Sequence, residues 1–324
     1  VLEKIVYTQK AKDSVLFDDG IYRIKKCKSG NILFNIRDLY LNKALDFYGE
    51  FSPGETELFE KMINPGDVVI DAGANIGAHT LDFSRIVGDK GSVYAFEPQP
   101  TVFNTLCTNL LLNDIHNVQK YQLGVGAKEG SFFTLDLDIK CTHSIGSLPL
   151  MDPLNGSLKK ENLGSRATLS NGNSSLNGTL IEVDVVTIDN LNLIRCDFIK
   201  VDVEGMEQNV LQGAQETINK HKPILYVECD LEDKAKDLQG YIASLNYEMY
   251  WHLTTLVDLK NNYYDCHENC FDNMYSSFNL LCLPKDLKKA QSKEIKVSNL
   301  YCLNPDPNLS IYNSIGEPVQ KIII

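Results

Sequence analysis

The apolar positions of this chain fall into short unbroken runs separated by helical stretches, which predicts buried strands alternating with amphipathic helices. Across Glu55 to Ile63, the residues Leu58, Phe59, Met62 and Ile63 recur at helical spacing, and Pro65-Gly66 then stops the helix. Asp67-Val68-Val69-Ile70-Asp71 follows, an apolar run closed by Gly73, as expected of a strand covered on both faces. The alternation continues with a helix through Ile86, a strand at Val93 to Phe96, a helix from Thr101 to Asn113 and a strand near Val118 to Val125. Residues 131–138 partly alternate and predict an added strand. Strands are next expected at Val183 to Ile188 and Asp197 to Asp202, then one helix with Met206, Val210, Leu211, Ala214 and Ile218 on a single face. The strand Ile224 to Glu228, a helix near Asp233 to Leu245, and the strands Tyr247 to Leu253 and Ser277 to Leu283 complete the series. Strand-helix alternation implies parallel βαβ units, and two final strands with no helix between them imply an antiparallel ending. The expected fold is a doubly wound α/β domain with a mostly parallel seven-stranded sheet and an antiparallel last strand.

Three segments lie outside this pattern. Residues 1–45 hold extended candidates at Ile21 to Lys25 and Asn31 to Ile36, joined by the turn Lys28-Ser29-Gly30, and predict a small β-rich cap before a main domain at 46–284. Residues 141–180 are rich in Ser, Asn, Gly and Lys without a period of 2 or 3.6, so they are expected to be a loop insertion, either a lid or a mobile segment. Residues 285–324, with Pro305, Pro307 and Pro318, are expected to be an irregular tail.

Composition narrows the function. With 43% hydrophobic and 23% charged residues and no apolar run near the roughly 20 residues of a membrane span, an ordinary globular protein without such a span is expected. The formal net charge of -12 opposes sequence-independent nucleic-acid binding, which depends on Lys and Arg displacing counterions from phosphates. Val1 to Asp13 lack the apolar h-region of a signal peptide, and nine scattered cysteines suit a reducing compartment, so a cytoplasmic location is expected. Cys266 and Cys270, with His267 between them, form the one close pair, too few ligands for a zinc site, and no metal is expected.

The candidate chemistry begins at Asp71-Ala72-Gly73-Ala74-Asn75-Ile76-Gly77-Ala78-His79-Thr80, between a buried strand and a helix. Gly73 and Gly77 let backbone approach a ligand lying over the strand's carboxyl end. A dinucleotide fingerprint needs a middle Gly to admit pyrophosphate, and Asn75 stands there instead. A ligand without phosphates, whose amino-acid portion needs hydrogen-bond partners, suits Asn75 and Asp71 better, and S-adenosylmethionine is such a ligand. Phe96-Glu97-Pro98 puts an acid at the next strand's tip, placed to accept hydrogen bonds from both ribose hydroxyls. In Asp197 to Glu207, Lys200, Asp202 and Glu204 alternate, which sets all three on one face if the strand continues that far. An ion pair of Lys200 with Asp202, with Glu204 capping a helix, is the alternative.

The run VIDAGANIGAHT, the FEP at Phe96 to Pro98, V-x-x-V-T-I-D at Val183 to Asp189, DFIKVDVEGME at Asp197 to Glu207 and YVE at Tyr226 to Glu228 together resemble the FkbM family of methyltransferases. The resemblance covers Phe47 to Glu228. It implies a class I methyltransferase fold with S-adenosylmethionine held around Asp71, Gly73, Asn75, Gly77, His79, Thr80, Glu97, Pro98, Gly124 and Asp202. It also implies that Asp202 and Glu204 border the transfer site. The chain departs from many class I methyltransferases at Leu123-Gly124, which supplies no acid for the adenine amino group.

The expected reaction is O-methylation of a saccharide or glycan hydroxyl, with a peptide side chain or a secondary metabolite as the alternative acceptor. A hydroxyl acceptor needs a general base, and the candidates are Glu204, Asp202, Glu228 and His143, with Glu204 first because it lies one strand period beyond Asp202. Asp202, Glu204 and Glu228 are also the carboxylates that a divalent cation would use, although no spacing establishes one. Tyr250, Trp251 and Tyr275 are candidate stacking faces for a sugar, and His252 is expected on an edge strand. Two other classes compete: an NAD-dependent oxidoreductase and an inactive binding module on the same fold.

Overall fold

The computed structural model describes residues 7–137, 150, 166–171, 174–230, 232–271, 276–285 and 300–302. The chain opens with α1 (Gln9–Asp13), β1 (Val15–Asp18), β2 (Tyr22–Cys27), β3 (Gly30–Asn35) and α2 (Leu41–Tyr48). Next come α3 (Pro53–Met62), β4 (Val68–Ala72), α4 (Ala78–Val87), β5 (Ser92–Phe96), α5 (Pro100–Leu112), β6 (Val118–Tyr121), β7 (Gly124–Val125) and β8 (Gly130–Leu137). After β9 (Arg166–Asn171) and β10 (Ser174–Val186) follow β11 (Phe198–Val201), α6 (Glu207–Gln212), α7 (Gln215–His221) and β12 (Ile224–Glu228). The last elements are α8 (Glu232–Ser244), β13 (Tyr247–Thr255), β14 (Ser276–Pro284) and β15 (Leu300–Cys302).

Among the described residues the main sheet runs β15-β13-β14-β12-β11-β4-β5-β6. The strands β12, β11, β4, β5 and β6 pair in parallel, and β14 enters between β12 and β13 antiparallel to both. This is the doubly wound, mostly parallel sheet with a reversed last strand that the apolar runs predict. Its central strands are runs because both faces are covered: Phe198 to Val201 and Val69 to Ala72 are all buried. Leu300–Cys302, from the expected tail, add β15 outside β13, so His252 does not lie on an edge strand and is wholly buried.

Three further expectations change. The strand near Val118 to Val125 is two strands, because β7 leaves the main sheet and pairs in parallel with the end of β10. The single helix after Met206 is α6 and α7, broken at Gly213, where an added Cβ would sit 2.0 Å from the Gly126 carbonyl oxygen. Its predicted face is nonetheless buried at Val210, Leu211, Ala214 and Ile218. Within the expected loop of 141–180, residues 166–171 and 174–180 form β9 and the start of β10, which also pairs antiparallel with β8.

The N-terminal strands order β1-β2-β3, and β3 offers its outer edge to α5. Asn109 and Asn113, one helical turn apart, satisfy that edge. Asn109 accepts from Leu33 N at 2.6 Å and donates to Leu33 O at 3.1 Å, and Asn113 does the same for Asn31 at 2.8 and 2.7 Å. Side-chain amides thus stand in for a missing neighbour strand. Cys27, Ile32 and Phe34 join the same apolar core as Val69, Leu106 and Phe198.

Candidate active site

The carboxyl ends of β5, β4, β11 and β12 lie side by side, the position where open α/β sheets bind ligands. The turn after β4 is held to β5: Gly73 N and Ala74 N both donate to Phe96 O, at 3.0 and 2.9 Å. Gly73, Asn75 and Gly77 have φ of +85, +52 and +91°, so the turn repeatedly uses the left-handed region. At Gly73 the need is also spatial, since a Cβ there would lie 1.7 Å from the Asp202 carbonyl oxygen. Asp71, wholly buried, accepts from the Thr80 hydroxyl at 2.7 Å, and this bond ties β4 to the first turn of α4.

Glu97 is the most perturbed acid facing this turn. One oxygen accepts from Asn75 N at 3.1 Å and the other from Gln99 N at 2.9 Å, while the residue is only 3% exposed. Burial raises its pKa, the two backbone donors oppose that, and Asp71 and Asp202 add to the rise, so it is pushed up to about 8. Each carboxylate oxygen, having one protein donor, keeps capacity for a second.

Beside it, Lys200 Nζ lies 2.9 Å from Asp202 Oδ2 and 3.7 Å from Asp71 Oδ1, with the lysine almost wholly buried. Burial alone would drive the ammonium toward neutrality, but Asp202, Asp71 and Glu55 more than reverse this and hold its pKa above the usual lysine range. The Lys200–Asp202 ion pair weighed as an alternative from the sequence is thus present. Glu204 is not one strand period beyond Asp202. β11 ends at Val201, and Glu204 sits in a bend with φ +53° ahead of Gly205 at +88°. The physical reason is local: Glu207 Oε1 accepts from Gly205 N at 2.7 Å, so the chain turns into α6 instead of extending. Glu228 ends β12 with Oε2 buried and without a hydrogen-bond partner among the described residues. Burial, then Asp202, Asp230, Glu204 and Glu207, push its pKa well above the ordinary carboxylate range.

A small, partly open cleft lies among these tips. Gly73, Glu97, Pro98, Gly124, Asp202 and Glu204 all line it, and its apolar walls include Phe96, Leu123, Leu150 and Met206. Five of the ten expected cofactor-binding residues thus line one cleft, Asn75 is bonded to Glu97 beside it, and Asp71 and Thr80 are packed behind the turn. His79 is also behind it, 2.8 Å from Glu55. His143 and Tyr275 lie outside the described residues. Trp251 is buried in the core and presents no stacking face, and Tyr250 donates to Glu248 at 2.7 Å. Cys266 and Cys270 are buried thiols packed near Tyr48 and Phe271. Among the described residues no group of three or more His, Cys, Asp or Glu side chains is arranged to hold a metal ion.

Glu55 escapes a reading that looks for acids near glycine turns. The signal was present in the helix itself, because Leu58, Phe59 and Met62 follow at positions i+3, i+4 and i+7 and place Glu55 on the buried face of α3. A carboxylate there needs partners.

Residues 71–249 match the model of the methyltransferase FkbM domain. Methyltransferase 1 of Beauveria bassiana is 30% identical over 189 residues, covering 54% of this chain and 71% of that protein. Methyltransferase sdnD of Sordaria araneosa is 29% identical over 161 residues, covering 46% of this chain and 60% of that protein. The crystal structure of a methyltransferase FkbM from Methylobacillus flagellatus aligns with a TM-score of 0.39 at 17% identity, over 69% of this chain and 50% of that one. The glycine turn, the acid at the tip of β5 and the paired charges at the end of β11 all fall within the matched residues, and the chain belongs to the FkbM methyltransferase family.

Proposed function

We propose that the protein transfers a methyl group from S-adenosylmethionine to a hydroxyl of a saccharide or glycan. The observation that carries the cofactor assignment is Glu97, a buried carboxylate beside the glycine turn with unused acceptor capacity on both oxygens. Its chemistry suits the two hydroxyls of a ribose. Asn75, in the left-handed region where a dinucleotide fingerprint has its middle glycine, disfavours a pyrophosphate-bearing ligand. The residues placed to hold the cofactor are Glu97 for the ribose, the turn from Asp71 to Gly77 for the amino-acid portion, and Pro98, Leu123, Gly124 and Met206 as cleft walls.

The cofactor supplies a methyl group already activated on a sulfonium, so the chain's work is positioning and proton removal. Asp202, with one oxygen engaged by Lys200, orients the acceptor hydroxyl. Glu204, on the cleft wall beside it, takes the proton. Asp202 and Glu204 make this rim acidic, which opposes phosphorylated acceptors and favours a neutral hydroxyl compound.

Two measurements check this. Adenosylmethionine at saturating concentration raises the thermal midpoint, whereas NAD leaves it unchanged; stabilisation by NAD alone would refute the cofactor assignment. Glu204→Gln lowers labelled methyl incorporation into a cell-extract fraction by roughly 10²–10⁴-fold with cofactor binding intact. Equal incorporation by the variant and the native protein would remove Glu204 from the mechanism.

A further inference from the structure

α3 lies before the family-matched span, yet it sends one charged side chain into the core behind the site. Glu55 is 5% exposed. Its Oε1 accepts from the Ser277 hydroxyl and from Asn279 Nδ2, both at 2.8 Å, and its Oε2 lies 2.8 Å from His79 Nε2. Burial opposes the charge, but His79, Ser277 and Lys200 outweigh it and hold the pKa down to about 2, so the group is an anion at any working pH. Ser277 and Asn279 lie on β14, which is reversed and also falls beyond the matched span.

The consequence lies in α4. Its first turn carries His79 and Thr80 in succession: His79 meets Glu55 of α3, and Thr80 donates to Asp71 of β4. Gly77, the residue that caps this turn, has a left-handed backbone and no side-chain cap of its own. The end of α4 that follows the cofactor turn therefore meets two carboxylates at adjacent residues, Asp71 at Thr80 and Glu55 at His79. Neither ring nitrogen of His79 makes an aligned hydrogen bond among the described residues, so Nε2 meets Glu55 at 2.8 Å as a close polar contact and Nδ1 is left without a partner.

We propose that Glu55 is a positioning residue for the cofactor turn, acting through His79 on the first turn of α4. The proposal rests on the cofactor assignment above. It differs from a purely structural role in requiring that the effect on ligand affinity pass through the imidazole.

The test uses the full chain, with adenosylmethionine and its demethylated product as calorimetric probes. Glu55→Gln keeps an acceptor for Ser277 and Asn279 but removes the charge facing His79, and it weakens binding of both probes by about tenfold. His79→Gln does the same, and the double variant is no weaker than either single one, because the second change removes nothing that the first left in place. Native affinity in Glu55→Gln alongside a lowered thermal midpoint would make Glu55 a structural residue only and overturn the proposal. Multiplying losses in the double variant would overturn the route through His79. Should Glu55→Gln fail to fold, Ser277→Ala removes one hydrogen bond to the same carboxylate and is expected to weaken binding about twofold, and native affinity there would refute the proposal. If the native protein binds neither probe, the cofactor assignment fails and this inference fails with it.

Discussion

Glu97→Gln is expected to weaken adenosylmethionine binding by about 3 kcal/mol, roughly a hundredfold in Kd, because hydrogen bonds to a charged acceptor are worth about 1.5–3 kcal/mol and a ribose offers two hydroxyls. The same substitution should change how stability depends on pH. With a folded pKa of about 8 against an ordinary 4.5, the native carboxyl keeps its proton where the unfolded one has lost it. Its stabilising contribution is fully present below 4.5 and is lost as the pH rises to 8. The slope across that window is about 1.4 kcal/mol per pH unit for one proton, so the total is several kcal/mol. Urea titrations of the ligand-free protein at pH 5 and pH 9 should therefore show a large fall for the native chain and a much smaller one for Glu97→Gln. Ligand capture provides a second readout. At pH 7 the native protein should release close to one proton as a cationic ligand arrives beside Glu97, seen as a dependence of the calorimetric heat on buffer ionisation enthalpy. A flat difference between variant and native protein across the pH range, together with no proton release, would show that Glu97 is ionised before the ligand enters. The proton-linked account of ligand capture at Glu97 would then fail.

The parts of this fold that the sequence displays are those whose local pattern records their surroundings. β4, β11 and β12 are covered on both faces, so they appear as short runs in which Val68 to Ile70 and Ile224 to Val227 are apolar throughout and Phe198 to Val201 is broken only by Lys200. The glycine turn is visible for a similar reason, because left-handed backbone at Gly73 and Gly77 admits few other residues. What stays hidden depends on partners far away in the chain. β9 and the first half of β10 are polar and lack a period, and their strand state comes from hydrogen-bonding to each other and to β8. β15 is three residues defined by β13, and it turns His252 from an expected edge residue into a core residue bonded to Tyr226 at 2.8 Å. Glu204 shows the same limit inside the site: period 2 projects a strand onward, but the hydrogen bond from Gly205 N to the Glu207 side chain accompanies a bend that comes first. The identities of the acids were legible in the sequence, and their geometry was decided by a turn.

Lys200 carries the second large effect. Its ammonium is the group facing both Asp71, which is wholly buried, and Asp202, which is 40% exposed at the side chain. Lys200→Met conserves length and apolar bulk but leaves the Asp71 carboxylate buried with the Thr80 hydroxyl as its hydrogen-bond donor, since its second oxygen has no hydrogen-bond partner among the described residues. Removing one member of a buried pair costs about 3–5 kcal/mol, because the remaining charge is stranded away from water. The loss should follow the charge of the stranded acid. The penalty is larger at pH 7, where carboxylates of the unfolded chain are ionised, than at pH 3, where they are already protonated. Asp71→Asn in the Lys200→Met background should recover much of the stability at pH 7, because a neutral amide can still accept from Thr80. The double variant should not recover cofactor affinity, since the turn would then face a neutral strand end. Chemical denaturation of both variants at pH 7 and pH 3 separates the possibilities. A loss below about 1 kcal/mol for Lys200→Met, or one of equal size at both pH values, would mean that solvent already screens this pair. The end of β11 would then be a surface feature, and the charge arrangement assigned to the methyl-transfer site would lose its physical basis.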